Sequence, residues 1–153
     1  MVLPLLIGTA LAGVNLAMLV LVVAFVVRYL ESLIAKLDDE PSFGNVTGIL
    51  AVVLTVLFAG HLMQVATWAL LFFFLGEFET FSKAFYHSMV NFTSLGYGDI
   101  VMSERWRLLG GLEAANGVLM FGLSAGTFLP VMNGLFGRRR RYSRVKDGIK
   151  HRN

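Results

Sequence analysis

Apolar positions dominate this chain in long uninterrupted runs, and polar positions gather at the seams between them. Met1 to Val27 carries no charged side chain, and Pro41 to Gly76 carries none apart from the titratable His61. Between Leu108 and Gly137 the only charge is Glu113. Runs of this length are read as membrane spans, because about 20 helical residues cross the hydrocarbon core. The pattern predicts a first span within about Leu3 to Tyr29, a second from 46 to 75 and a third from 108 to 135. The first run has no Lys or Arg before it and no small-residue cleavage site after it, so it reads as a retained helix and not as a signal peptide.

Between the spans the pattern changes. Leu30, Leu33, Ile34 and Leu37 recur at spacings of three and four amid mixed charges. That spacing predicts a helical extension into water, ended by Pro41, Gly44 and Asn45. Trp68 and Phe72-Phe73-Phe74 fall where an interfacial aromatic belt would sit. The segment 80–93 is aromatic, mildly polar and too short to span, which predicts a re-entrant or interfacial helix. The fold class expected is therefore an all-α membrane protein. It divides into 1–45 (a first helix and a linker), 46–136 (two spans flanking the short helix) and 137–153 (a basic tail).

Composition narrows the function. The chain is 56% hydrophobic and 15% charged, with 13 Lys and Arg against 10 Asp and Glu. A soluble domain is about a quarter charged, so a soluble enzyme, a disordered chain and a nucleic-acid binder are disfavoured. The absence of cysteine excludes disulfides and thiolate chemistry. The tail holds eight of the 13 basic residues, among them Arg138, Arg139, Arg140 and Arg141. The positive-inside rule places it in the cytoplasm and, with three spans, the N-terminus outside. The same arginines are candidates for binding anionic lipid headgroups.

The chemistry concentrates in Ser94-Leu95-Gly96-Tyr97-Gly98-Asp99. A dehydrated cation in a membrane needs oxygen ligands, and backbone carbonyls supply them if successive carbonyls turn to one axis. Alternate residues must then adopt mirror-image dihedrals, which glycine reaches at little cost. Gly96 and Gly98 fit that need, and Ser94 adds a hydroxyl. The preceding short helix would end near Phe92 and Thr93, where its C-terminal dipole favours a cation.

These residues resemble the selectivity-filter signature of the potassium-channel family, Thr-Val-Gly-Tyr-Gly-Asp. Gly96, Tyr97, Gly98 and Asp99 match it, Ser94 keeps a hydroxyl and Leu95 an aliphatic group. The layout over 46–135 is similar too: outer helix 46–75, pore helix 80–93, filter 94–99, inner helix 108–135. The resemblance implies a bacterial-type homotetrameric pore in a cell membrane, conducting K+ passively past the carbonyls of Ser94, Leu95, Gly96, Tyr97 and Gly98. It implies Thr93, Asp99, Tyr86 and Glu113 as filter supports, Gly117 and Pro130 as gating hinges, and Trp106 as an outer-mouth aromatic. It implies no cofactor and no enzymatic activity. Ser94 for threonine, Leu95 for valine and Met102 for a common proline are departures. Leu95 must pack behind the filter. A weakly selective cation channel and a non-conducting membrane subunit are the alternatives. No span carries the regularly spaced arginines of a voltage sensor.

Other residues carry two readings each. Glu113 in an apolar span is expected to face protein and to bond behind the pore helix with Asn91, Tyr86 or His87. Asn116, Met120 and Ser124 share one helix face, which lines a cavity or packs. His61 reads as a packed or hydrogen-bonded residue. Glu77 and Glu79 read as solvated turn acids or as a cation-concentrating mouth. Gly122-Leu123-Ser124-Ala125-Gly126 matches the hydrolase pattern Gly-x-Ser-x-Gly, but within an apolar helix it reads as small residues allowing close helix contact.

Overall fold

A computed structural model gives the protein four helices in chain order: α1 (Val2–Ile34), α2 (Phe43–Phe74), α3 (Phe81–Phe92) and α4 (Arg107–Lys150). It describes residues 2–34 and 42–150, with side chains for 2–33 and 42–134. Leu37 and Pro41 of the linker lie outside the described residues, as do the side chains of Arg138 to Arg141. Among the described residues the structure is all-helical, and three helices are long and apolar enough to cross a membrane: Val2–Leu33, Phe43–Phe74 and Arg107–Gly134.

Local chemistry sets the helix ends. The Ser42 hydroxyl accepts from Asn45 N at 3.2 Å and caps α2. At its other end Gly76 adopts φ +74°, Gly76 N donates to Phe73 O and Glu77 N to Phe72 O. This pair of bonds is a Schellman motif, and it needs a residue that tolerates the left-handed region. Thr80 caps α3 by accepting from Lys83 N at 3.3 Å, beside the Lys83–Glu79 ion pair at 2.8 Å. Pro4 sits in the first turn of α1, where its missing N–H costs nothing.

Two helices run on beyond their apolar spans. The amphipathic stretch after Tyr29 is a helical extension, as its spacing predicts, since α1 runs through it to Ile34 without a break. α4 likewise continues past residue 135, through Pro130 and into the basic segment. Pro130 removes one intrahelical bond without ending the helix. The run of arginines offers no glycine or proline stop before Gly148.

α2 lies antiparallel to α1 and α4. Near one end Leu19 of α1 joins Trp68, Phe72, Phe92, Leu109 and Met120 in a core centred on α3. Near the other, Val26 and Leu30 pack with Val46, Ile49, Val53 and Leu57, and Phe128 and Val131 close the cluster. Lipid tails are as apolar as these side chains, so close packing and polar contacts carry the association. Small residues permit it: a Cβ on Gly60 would meet Val22 at 3.2 Å. Large apolar side chains such as Leu6, Leu21, Phe58 and Phe74 point outward.

Candidate functional site

The segment following α3 folds back on the helix that delivers it. Ser94 N donates to Asn91 O at 2.8 Å, Leu95 N to Val90 O at 2.9 Å and Gly96 N to Val90 O at 3.4 Å. Thr93 caps the helix, its hydroxyl donating to Met89 O at 2.7 Å. Beyond this anchor every second residue has positive φ: Ser94 at 60°, Gly96 at 58° and Gly98 at 71°. Gly96 and Gly98 adopt the dihedrals their spacing suggests. Ser94 is the surprise, since the left-handed region costs a non-glycine residue about 1–2 kcal/mol. It is the only non-glycine among the described residues with positive φ.

The segment's far end is tied to α3 and to the end of α2. Tyr86 Oη donates to Asp99 Oδ2 at 2.8 Å. This bond holds the phenol above its ordinary value, because the neighbouring carboxylate disfavours phenolate. His87 Nδ1 lies 3.0 Å from Ile100 O, and Asn91 Nδ2 lies 2.8 Å from His87 Nε2. Ser103 donates to Glu77 from its backbone N at 2.6 Å and from its hydroxyl at 2.8 Å. Glu77 is therefore a clamp on the post-segment turn and not a bare solvated acid. Glu79 pairs with Lys83, which holds its carboxyl below the usual range.

Leu95 does not pack behind the segment within one chain. It is 57% exposed and Tyr97 66% exposed, side by side with exposed Gly96 and Gly98. Trp106 is buried against the core, with the Arg105 guanidinium 5.1 Å from its ring.

Behind α3 lies Glu113, fully buried on α4. Its partner is Ser88, whose hydroxyl sits between the Glu113 carboxyl group and Val65 O, 2.8 Å from the latter. One serine thus links α2, α3 and α4. Of the partners expected from sequence, Tyr86 and His87 turn to Asp99 and Ile100, and Asn91 borders the carboxylate while its amide serves His87. Glu113 Oε2 and both polar atoms of the Asn116 amide are buried without a hydrogen-bond partner.

The candidate hinge Gly117 and the polar face of α4 both lie against neighbouring helices. A Cβ on Gly117 would lie 1.9 Å from Phe92 O, so this glycine permits close approach of α4 to α3. Asn116, Met120 and Ser124 turn into the protomer and are buried, which favours packing over a cavity. Gly122 and Gly126 meet nothing within 4 Å, so they mediate no helix contact inside one chain. Ser124 lies in unbroken helix, without the strand-to-helix turn a hydrolase serine requires.

A second polar cluster was not foreseen. His61 Nδ1 lies 3.2 Å from Gln64 Oε1 and its Nε2 3.1 Å from Ser124 Oγ. Gln64 Nε2 donates to Asn15 O at 3.0 Å and the Thr67 hydroxyl to Asn15 Oδ1 at 2.9 Å. Three helices meet there. Asn15 and Gln64 are amides inside apolar runs, and that was the available signal, because buried amides in a span seek partners. Among the described residues no group of three or more His, Cys, Asp or Glu could hold a metal ion.

A family model described as an ion channel matches residues 51–133, from within α2 to the span portion of α4. No curated protein and no solved structure matches the chain.

Proposed function

Because the chain belongs to the ion-channel family whose model covers residues 51–133, we propose that it conducts potassium passively through a pore ringed by four copies of itself. The observation that carries this reading is the positive φ at Ser94, Gly96 and Gly98 in turn. Alternation of backbone hand turns successive carbonyls to one side, which a dehydrated cation requires. Exposure of Leu95 and Tyr97 supports the assembly, since an isolated chain leaves both side chains uncovered where neighbouring copies would pack.

In this reading each copy contributes one strand of carbonyls, from Ser94 to Gly98. Thr93 and the end of α3 deliver the segment, and the α3 dipole adds negative potential below it. Tyr86 and Glu77 hold the segment's exit by way of Asp99 and Ser103. The N-terminus of α1 and the 76–107 stretch share one end of the bundle, as Gly8 of α1 packs on Leu112 near the start of α4. The basic end of α4 lies opposite. The positive-inside rule then sets the basic end in the cytoplasm and the Asp99 end outside.

Purified full-length protein in liposomes tests the proposal. Potassium flux well above sodium flux, lost in Gly98→Ala while assembly persists, is the expected result. Equal sodium flux would leave a weakly selective cation pore. Absence of flux at every voltage and lipid composition, or a monomer or dimer in detergent, would overturn the reading.

A further inference from the structure

His87 lies on the face of α3 that backs the Ser94–Asp99 segment, with a partner at each ring nitrogen. A carbonyl oxygen only accepts, so the 3.0 Å contact with Ile100 O places the proton on Nδ1. Nε2 is then a lone pair, and it accepts from the Asn91 amide at 2.8 Å. The Asn91 backbone carbonyl in turn accepts from Ser94 N. His87 thereby holds the loop's exit at Ile100, and its ring is set by the same Asn91 whose backbone carbonyl holds the entry at Ser94. Phe72 and Phe78 close on the ring at centroid distances of 5.7 and 4.9 Å. α4 backs the amide so closely that a Cβ on Gly110 would come within 3.0 Å of Asn91 Nδ2.

A second proton can enter only at Nε2, where it meets the N–H of Asn91. Two donors then face each other, and the bond must break or the amide must turn in a tight space. The acids facing this ring are Asp99 from the loop and Glu77 from the end of α2. Tyr86, beside it on α3, is spent on Asp99, and Glu113 on α4 turns to Ser88. α2 itself presents Phe72. Burial pushes the imidazole below its ordinary 6.5, outweighing the pull of Ile100 O and the two acids.

We infer that His87 is a positioning residue that holds the Ser94–Asp99 backbone from behind, and that a proton reaching its Nε2 from the Asp99 side releases this hold and reduces conduction. The inference rests on the potassium-pore reading. Neutral His87 makes both bonds, so the hold is complete above the ordinary histidine value and fades as pH falls through the depressed one.

The test is potassium flux from liposomes as the pH on the Asp99 side is stepped from roughly 8 to 4.5, spanning histidine titration. Wild-type flux falls severalfold or more at the acid end, with a midpoint below 6.5. In H87Q the profile is flat whatever its amplitude, since glutamine can still donate to Ile100 O without titrating. In Asn91→Asp a carboxylate replaces the opposing donor, and the midpoint rises by about one unit or more. A flat wild-type profile, or an acid fall that survives H87Q, would overturn the inference while leaving the pore standing. Absence of all flux would instead fell the pore reading. The nitrogen NMR spectrum of the His87 ring then still decides the positioning role: an Nδ1–H tautomer supports it and an Nε2–H tautomer refutes it.

Discussion

Gly117 of α4 stands directly against the carbonyl of Phe92, the last residue of α3, with only 1.9 Å between a would-be Cβ and that oxygen. The contact fixes how near the inner helix comes to the root of the loop. Gly117→Ala therefore forces backbone from backbone, and overpacking of this kind costs about 1–3 kcal/mol. Thermal unfolding in detergent should show the loss. Gly122→Ala, at a position open in the protomer, is the control and should unfold no earlier than wild type. Equal midpoints for Gly117→Ala and wild type would show that the two helices are not held this closely.

Ser88 is the junction of three helices, by way of Val65 O and the Glu113 carboxylate. Ser88→Ala takes the hydroxyl partner from a fully buried carboxyl group, and an orphaned buried polar group costs about 1–3 kcal/mol. Glu113→Leu removes the carboxylate itself and leaves the serine its bond to Val65 O. The double variant should thus recover part of the Ser88→Ala loss, as partners in one network do not add. Strict additivity in unfolding measurements would argue against the bond.

Much of this arrangement can be read from local pattern. The short stretch between two apolar runs announces α3, whose caps Thr80 and Thr93 are in the sequence for inspection. Gly96 and Gly98 announce the alternating backbone because glycine alone reaches that region cheaply. Ser94 carries no such mark; serine's preference lies elsewhere, and its φ of 60° is imposed by the bonds that fold the loop back on Val90 and Asn91. Glu113 was legible as buried, but its partner Ser88 was not, because which turn of α3 faces α4 depends on the approach Gly117 allows. Gly117 was legible as a small residue in a helix, but the backbone oxygen it lets approach was not. The continuation of α4 through 137–150 was hidden by charge, since a run of arginines signals the end of a span and says nothing about the end of a helix.

The Tyr86–Asp99 bond has a spectroscopic consequence. Ionising the phenol would lose a hydrogen bond and set two negative charges side by side, so Tyr86 titrates above its ordinary 10.0. Asp99→Asn removes the carboxylate and should bring the phenol back toward that value. Absorbance titration, with Tyr86→Phe subtracted to isolate this one tyrosine, reads the shift. An unchanged Tyr86 titration in Asp99→Asn would mean that the bond does not persist in the folded protein.

α1 lies outside the stretch that the family model matches, 51–133, yet it is pinned to it by polar groups within the apolar layer. Gln64 is central, because its amide nitrogen donates to Asn15 O and its oxygen faces His61 Nδ1. As Asn15 O accepts, the oxygen of the Gln64 amide is left to receive from His61, which fixes Nδ1–H and leaves Nε2 to accept from Ser124. Gln64→Leu cuts this chain at both sides. Interhelical bonds in membranes average about 0.6 kcal/mol and reach about 1.7, so the loss should be on that scale and not larger. Without α1 the effect should shrink but persist, since the His61–Ser124 link between α2 and α4 also loses its tautomer control. A chain beginning at Ser42 should therefore still be weakened by Gln64→Leu, but by less than the full chain is. Equal effects in the two backgrounds would show that the bond from Gln64 to Asn15 O contributes nothing to the docking of α1.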